Sequence, residues 1–242
     1  MDRMIYLSMA GAKATMQRQD VLANNLANAS TTGFRAELQA FRAVPVRGDG
    51  ASTRVYALET TTGYDATPGA VAATGRPLDV AMQGNAWLAV QGLDGTEAYT
   101  RMGSLQVGPD GTLATAGGLT VMGDGGPVAI PPNTEASIAP DGTVSVRQAN
   151  GTVNGVGRLK LVTPEAPLAR GADGLFRAAD GDLPADPTAR LQDGALEGSN
   201  VNPIENMVAM IAAARQFEAQ MKMVQTAERD EQAASRLLSM NP

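Results

Sequence analysis

The chain has no cysteine and no histidine. The first absence excludes disulfides and thiolate metal sites. The second removes the commonest general base, the Ser-His-Asp triad and nearly every zinc or iron site. Lysine is scarce, limited to Lys13, Lys160 and Lys222, and none of the three stands in a glycine-rich phosphate loop. Aromatics amount to 4% of residues against 43% hydrophobic, so a core must be built from Val, Leu, Ile, Ala and Met. No apolar run approaches the ~18–20 residues that span a bilayer. A Sec-type leader is missing too: Met1-Asp2-Arg3 runs into a helix-period pattern broken by Gly11 and Lys13, without the apolar stretch of about 7–15 residues that such leaders carry. The chain is therefore expected to be cytosolic or to leave the cell without signal-peptide cleavage.

What remains offers little chemistry. Asp180-Gly181-Asp182 with Asp186 lacks the Asp-x-Asp-x-Asp-Gly order and terminal Glu of a calcium loop, and reads as acidic turns. Gly117-Gly118 and Gly125-Gly126 match neither dinucleotide nor P-loop spacing. With 25 acidic residues some carboxylate pair can always be drawn, so such a pair carries no signal for glycoside hydrolysis. No catalytic residue, cofactor, metal ligand or small-molecule substrate is expected. Net charge is −6, divided as +3 over residues 1–47 (six basic, three acidic), −8 over 48–202 (nine, seventeen) and −1 over 203–242 (four, five). An acidic body argues against nucleic acid, whose phosphates need clustered Lys and Arg. Asn28-Ala29-Ser30 and Asn150-Gly151-Thr152 match the glycosylation sequon, but without a secretory leader the matches read as chance.

What is abundant is helical periodicity at the ends and turn signal between them. Ile5, Met9, Ala12, Met16, Gln19, Ala23 and Leu26 step by 4 and 3 in alternation, a heptad seam with one polar member. It is thin, because Ala and Met bury less than Leu and Ile. The helix is expected to fray through Asn24, Asn25 and Asn28 and to stop before Gly33, which can take positive φ. Phe34, Leu38 and Phe41 step by 4 and 3 and predict one or two further helical turns packed on the first helix. The alternation over residues 54–60 reads as one arm of a long hairpin. From Leu78 onward strand-length apolar runs are punctuated by Asp94-Gly95, Asp110-Gly111, Asp124-Gly125, Asp141-Gly142, Asn150-Gly151, Asp173-Gly174 and Asp180-Gly181, the strongest short-range hairpin signals. Pro109-Asp110-Gly111-Thr112 and Pro140-Asp141-Gly142-Thr143 are one turn used twice. After a Pro/Asp/Gly linker the second helix begins with Asn202 as N-cap, Pro203 at its first position and Glu205 at N3. Met207, Met210, Ala214, Phe217, Met221 and Val224 then form a second seam.

The expected fold is mixed α and β, with long N- and C-terminal coiled-coil-type helices bracketing a central, mainly antiparallel β domain. The expected segments are 1–43 (N-terminal helix and turn motif), 44–77 (extended linker or long hairpin), 78–196 (β-rich domain) and 197–242 (C-terminal helix). A self-contained domain rarely reserves its seams for its extreme ends. The plainer alternative is that the two helices pack only on each other; burial between neighbouring subunits is favoured, with Ile5, Met9, Ala12, Met16, Leu26, Phe34, Met207, Met210, Phe217, Met221 and Val224 as the subunit-packing candidates.

The string Ala23-Asn24-Asn25-Leu26-Ala27-Asn28, continued by Thr32-Gly33-Phe34-Arg35, resembles the signature of the flagellar axial proteins of rod, hook and hook-filament junction. Thr74-Gly75-Arg76-Pro77-Leu78-Asp79, Tyr99-Thr100-Arg101-Met102-Gly103 and Leu196-Glu197-Gly198-Ser199-Asn200-Val201-Asn202-Pro203 are similar to later motifs of the same proteins, so the resemblance covers nearly the whole chain. Ala86-Trp87-Leu88 departs from the usual Gly-Phe-Phe and implies a local repacking. The resemblance is closest to the rod proteins of the basal body, among them those of the proximal rod. It implies a structural, self-assembling subunit of the periplasmic rod, exported by the flagellar type III apparatus. The implied partners are other rod proteins and further copies of itself. Its family-motif residues are Asn24, Asn25, Asn28, Gly33, Asn200 and Asn202. The competing reading is a secreted β-rich carbohydrate- or cell-wall-binding module with helical extensions, which requires a cleft of exposed aromatics.

Overall fold

The computed structural model describes residues 2–45 and 55–239. Residues 46–54, which include the start of the arm expected over 54–60, lie outside them. The chain is mixed: helix α1 (Asp2–Ala27) opens it, helix α2 (Pro203–Ser239) closes it, and every strand pair between them is antiparallel. Two compact units form. The first draws on the described residues of Met1–Ala29, Ala36–Asp65 and Val201–Pro242, the second on Ser30–Arg35 and Ala66–Asn200.

In the first unit α1 packs along α2 and touches a long hairpin of β1 (Glu37–Pro45) and β2 (Val55–Tyr64). The helix expected from Phe34, Leu38 and Phe41 does not exist: Leu38 and Phe41 lie in β1 and Leu38 is exposed. Eight residues of helix are marginal in water, whereas β1 gains a nine-residue ladder. A bulge, where Ala40 faces Thr61 and Phe41 faces Glu59, shifts the register and scrambles the period-2 signal that would have revealed the strand. The end of α1 is as expected: the Asn28 N–H donates to the carbonyls of Asn24 and Asn25, and the Asn28 amide donates to Asn24 O at 2.9 Å. The Asn25 side chain, 5% exposed, exchanges two hydrogen bonds with the Glu37 backbone, receiving its N–H at 2.8 Å and donating to its carbonyl at 3.0 Å. At the start of α2, Asn202 Oδ1 accepts the N–H groups of Ile204 and Glu205, the N-cap read from the sequence.

The second unit centres on a five-stranded sheet in the order Leu161–Val162, Trp87–Gln91, Glu97–Thr100, Phe176–Arg177, Ala169–Arg170. A three-stranded meander, Glu135–Ile138, Thr143–Arg147 and Val153–Arg158, shares its core. That core is aliphatic, as the composition requires: Leu88, Leu105, Leu113, Val121, Val144 and Leu191 are fully buried. Trp87 is 1% exposed, its ring 4.6 Å from that of Phe176, and Tyr99 is equally buried. These aromatics serve the interior rather than a binding cleft.

One turn recurs five times, around Asp94, Asp110, Asp141, Asn150 and Asp173. In each the following glycine has φ of 78 to 86° and donates its N–H to the carbonyl three residues back. The side-chain oxygen of the Asp or Asn accepts the backbone N–H two residues on. This is a type I turn closed by a left-handed residue, for which glycine carries no steric penalty. The turn hydrogen bonds hold the Asp94 and Asp110 carboxyls below their usual range, chiefly through the Thr96 and Thr112 hydroxyls; Asp141 is lowered first by the Thr143 N–H. Asp173 is lowered first by Arg177, and Asp186 falls to about 2 through the Thr163 and Thr188 hydroxyls. A carboxyl whose pKa is lower folded than unfolded stabilises the fold above the unfolded value of ~4, and that stabilisation disappears as pH falls through the folded value. We expect the β unit to hold constant stability from neutral pH to about 4 and to lose it progressively towards pH 2. An acid titration followed by the fluorescence of Trp87, the chain's single tryptophan, checks this.

Candidate assembly site

Two groups of residues answer to the motifs and seams of the sequence, one in each unit. In the first unit, the stripe of α1 that packs against α2 is built of small residues. Ser8, Ala12 and Thr15 are buried, Ile5 and Leu26 are half-buried, and Thr15 Oγ1 bonds the Gly11 carbonyl at 2.9 Å. Gly11 faces α2 closely enough that a Cβ there would stand 3.0 Å from the Gln220 side chain. On α2 the inward stripe holds Ala213, 2% exposed, with Met210, Phe217 and Val224 half-buried.

The intrachain stripe keeps Ile5, Ala12, Leu26, Met210, Phe217 and Val224 of the read periodicity, but Ser8 and Thr15 replace Met9 and Met16, and Ala213 is the buried centre on α2. Met9 and Met16 are 55% and 56% exposed, Met207 46% and Met221 38%. Small residues win the inner position because they let two helix backbones approach closely, whereas long methionines would hold them apart. The large apolar residues read as packing between subunits therefore stand outside the intrachain contact. The periodicity also passed over Tyr6 beside Met9, and Ile204, Val208 and Ile211 at helical spacing on α2, all more than half exposed. A search for a second apolar stripe next to the first would have found them.

In the second unit the segments resembling family motifs converge on one carboxylate. Glu197 Oε1 lies 2.7 Å from Arg35 Nη1 and accepts the Gly69 N–H at 3.0 Å. Its Oε2 accepts Arg101 Nε at 2.7 Å and lies 2.6 Å from Nη2. All three charged side chains are no more than 2% exposed. The remaining Arg101 donors reach the carbonyls of Met82, Gly84 and Ala86, and its guanidinium sits 5.8 Å from the Trp87 ring centroid. Gly33, with φ +68°, gives its N–H to the Glu197 carbonyl at 2.7 Å, and any Cβ there would run into the Arg101 backbone. Arg170 covers the buried Phe34 ring at 4.6 Å and donates to the Arg35 carbonyl. Asn200 joins the same neighbourhood, donating its amide to Thr67 O and its N–H to Phe34 O. Phe34 is therefore an internal anchor of this unit, not part of a helix seam. Sequence reading quoted Arg35, Arg101 and Glu197 within three motifs but assigned them no role, because nothing local shows that residues so far apart share one buried charge.

Among the described residues no group of three or more His, Cys, Asp or Glu is arranged to hold a metal ion, and no helix is long and apolar enough to cross a membrane. Terminal helices with apolar outer flanks, attached to a β unit with its own complete core, define a structural assembly protein. Three family models match in succession: flagella basal body rod protein over residues 5–35, flagellar hook protein FlgE/F/G D1 domain over 81–146, and flagellar basal body rod FlgEFG protein C-terminal over 192–237. Over the full length of both chains the protein is 50% identical to the flagellar basal-body rod proteins FlgF of Salmonella typhimurium and of Escherichia coli. It is 31% identical to the rod protein FlgG of Bacillus subtilis, covering 93% of this chain and 95% of that one. The chain belongs to the flagellar basal-body rod protein family and is a FlgF-like structural subunit of the rod in the flagellar basal body.

Removing one partner of a buried, hydrogen-bonded charge pair costs ~3–5 kcal/mol, because the other charge stays buried and unpaired. Glu197→Ala leaves two guanidinium groups in that position and is expected to destabilise the β unit by at least that range. Urea unfolding monitored through Trp87 tests it. A shift in midpoint under ~1 kcal/mol would mean the cluster adds little.

Proposed function

We propose that the protein assembles through its terminal helices, with copies of itself and with other rod proteins, into a helical shaft that transmits torque for motility. The observation carrying this reading is the apolar outer flank of the helix pair, Met9 and Met16 on α1 with Ile204, Met207, Val208 and Met221 on α2. A neighbouring subunit that covers these side chains gains up to ~1.5–3 kcal/mol for each one fully buried. Ordering a helix costs ~1–2 kcal/mol of backbone entropy per residue, a cost that a narrow Ser/Ala/Thr stripe offsets poorly in a lone chain. The length mismatch adds to this: α2 has 37 residues and α1 has 26, so 11 residues of α2 exceed what α1 can cover.

In this reading the two terminal helices are the axial parts, with coiled-coil packing completed between subunits, the hairpin of β1 and β2 is an arm, and residues 78–196 form the outer body. Ile5, Leu26, Met210, Phe217 and Val224, half-buried within the chain, border the covered surface rather than forming its centre. Export by the flagellar type III apparatus belongs to the same reading. Met16→Asp and Met221→Asp are expected to abolish incorporation into isolated basal bodies, and swimming, in cells lacking the native copy, while circular dichroism and Trp87 fluorescence of the purified variants stay native. Normal incorporation of both variants would remove the outer flank as the assembly surface.

A further inference from the structure

Of the five equivalent turns, four carry Asp and one carries the amide Asn150, followed by the least hindered residue, Gly151. All of residues 149–152 are exposed. We propose that Asn150 is a site of spontaneous deamidation in the folded protein, and that the fold accepts its aspartate product without rearrangement. The Gly151 backbone nitrogen attacks Asn150 Cγ, the bond from Cγ to Nδ2 breaks and ammonia leaves. Water then opens the cyclic imide to Asp or to isoaspartate, so the step is a hydrolysis with no oxidant or reductant.

The sister turns show why the aspartate fits. Three of them read Asp-Gly-Thr, and in each the carboxylate accepts both the N–H and the hydroxyl of that Thr: Thr96 at 3.0 and 2.7 Å, Thr112 at 3.2 and 2.9 Å, Thr143 at 3.0 and 2.9 Å. Asn150 Oδ1 already accepts the Thr152 N–H at 3.0 Å, so conversion recreates the same Asp-Gly-Thr turn and adds one negative charge. The isoaspartate product inserts a methylene into the main chain between Thr143–Arg147 and Val153–Arg158, and the turn can no longer close on Gln148, whose carbonyl accepts the Gly151 N–H at 2.8 Å. The second Asn-Gly pair, Asn154-Gly155, lies inside a strand, where Asn154 pairs with Val146 and Gly155 with Ser145. That ladder, which a bulge at Val156 interrupts only after Gly155, restrains the backbone rotation that the attack of the Gly155 nitrogen needs.

The test is incubation of the purified full chain at mildly alkaline pH, followed by peptide mapping at intervals, with a urea-unfolded sample beside it. Conversion at Asn150 with little at Asn154 in the folded chain, and conversion of both when unfolded, is expected. An Asn150→Asp variant should keep the wild-type melting temperature or exceed it. Retention of the Asn150 amide in the folded chain, conversion of Asn154 as fast as Asn150, or a lowered melting temperature for the variant would each overturn the proposal.

Discussion

One buried carboxylate organises the second unit. Glu197 neutralises one charge while two guanidinium groups, those of Arg35 and Arg101, press on it from segments 162 and 96 residues away in sequence. A carboxylate accepts in two directions at once, so the residues leaving the first helix, those entering the second and the body between them meet at one point. Arg101 extends the effect by donating to the backbone carbonyls of Met82, Gly84 and Ala86 as well. Gly33 follows from the same constraint, because its carbon sits against the Arg101 backbone where no side chain has room.

The two units solve burial differently. The β unit closes on itself with Leu88, Leu113, Val144 and Leu191 sealed from water. The helix pair seals Ser8, Ala12, Thr15 and Ala213 between its members and leaves Met9, Met16, Met207, Met221 and Met223 exposed, with Ile204, Val208 and Ile211. That division is what the proposed assembly calls for: a body that is finished when it folds, and helices that still expose apolar surface. Methionine is fitting for such a surface, because its flexible, polarizable side chain adapts to neighbours that are not identical.

The sequence and the structure agree where the determinants are local. Asn202 caps the second helix because its oxygen reaches N–H groups two and three residues on, and the Asp-Gly pairs make turns because glycine alone takes the left-handed position freely. They part where two periodicities compete. Phe34, Leu38 and Phe41 have helical spacing, yet a cross-strand ladder with β2 and a bulge decide for strand at Leu38 and Phe41, while Phe34 anchors the second unit. Met9, Met16, Met207 and Met221 have heptad spacing, but that spacing does not say which neighbour they meet; within the chain the close approach at Gly11 puts Ser8, Thr15 and Ala213 inside.

What the sequence determined by itself was therefore everything set within a few residues: two terminal helices and their ends, the recurring turn, an aliphatic β core, and the motif strings that mark the family. What only the tertiary structure decided was which face of each helix is spent within the chain, and which distant charges share one buried site. A helix period specifies a stripe only to within one residue, about 100° of rotation, until a neighbour fixes it. A buried charge has no sequence-local sign at all, since its partners are chosen by the fold.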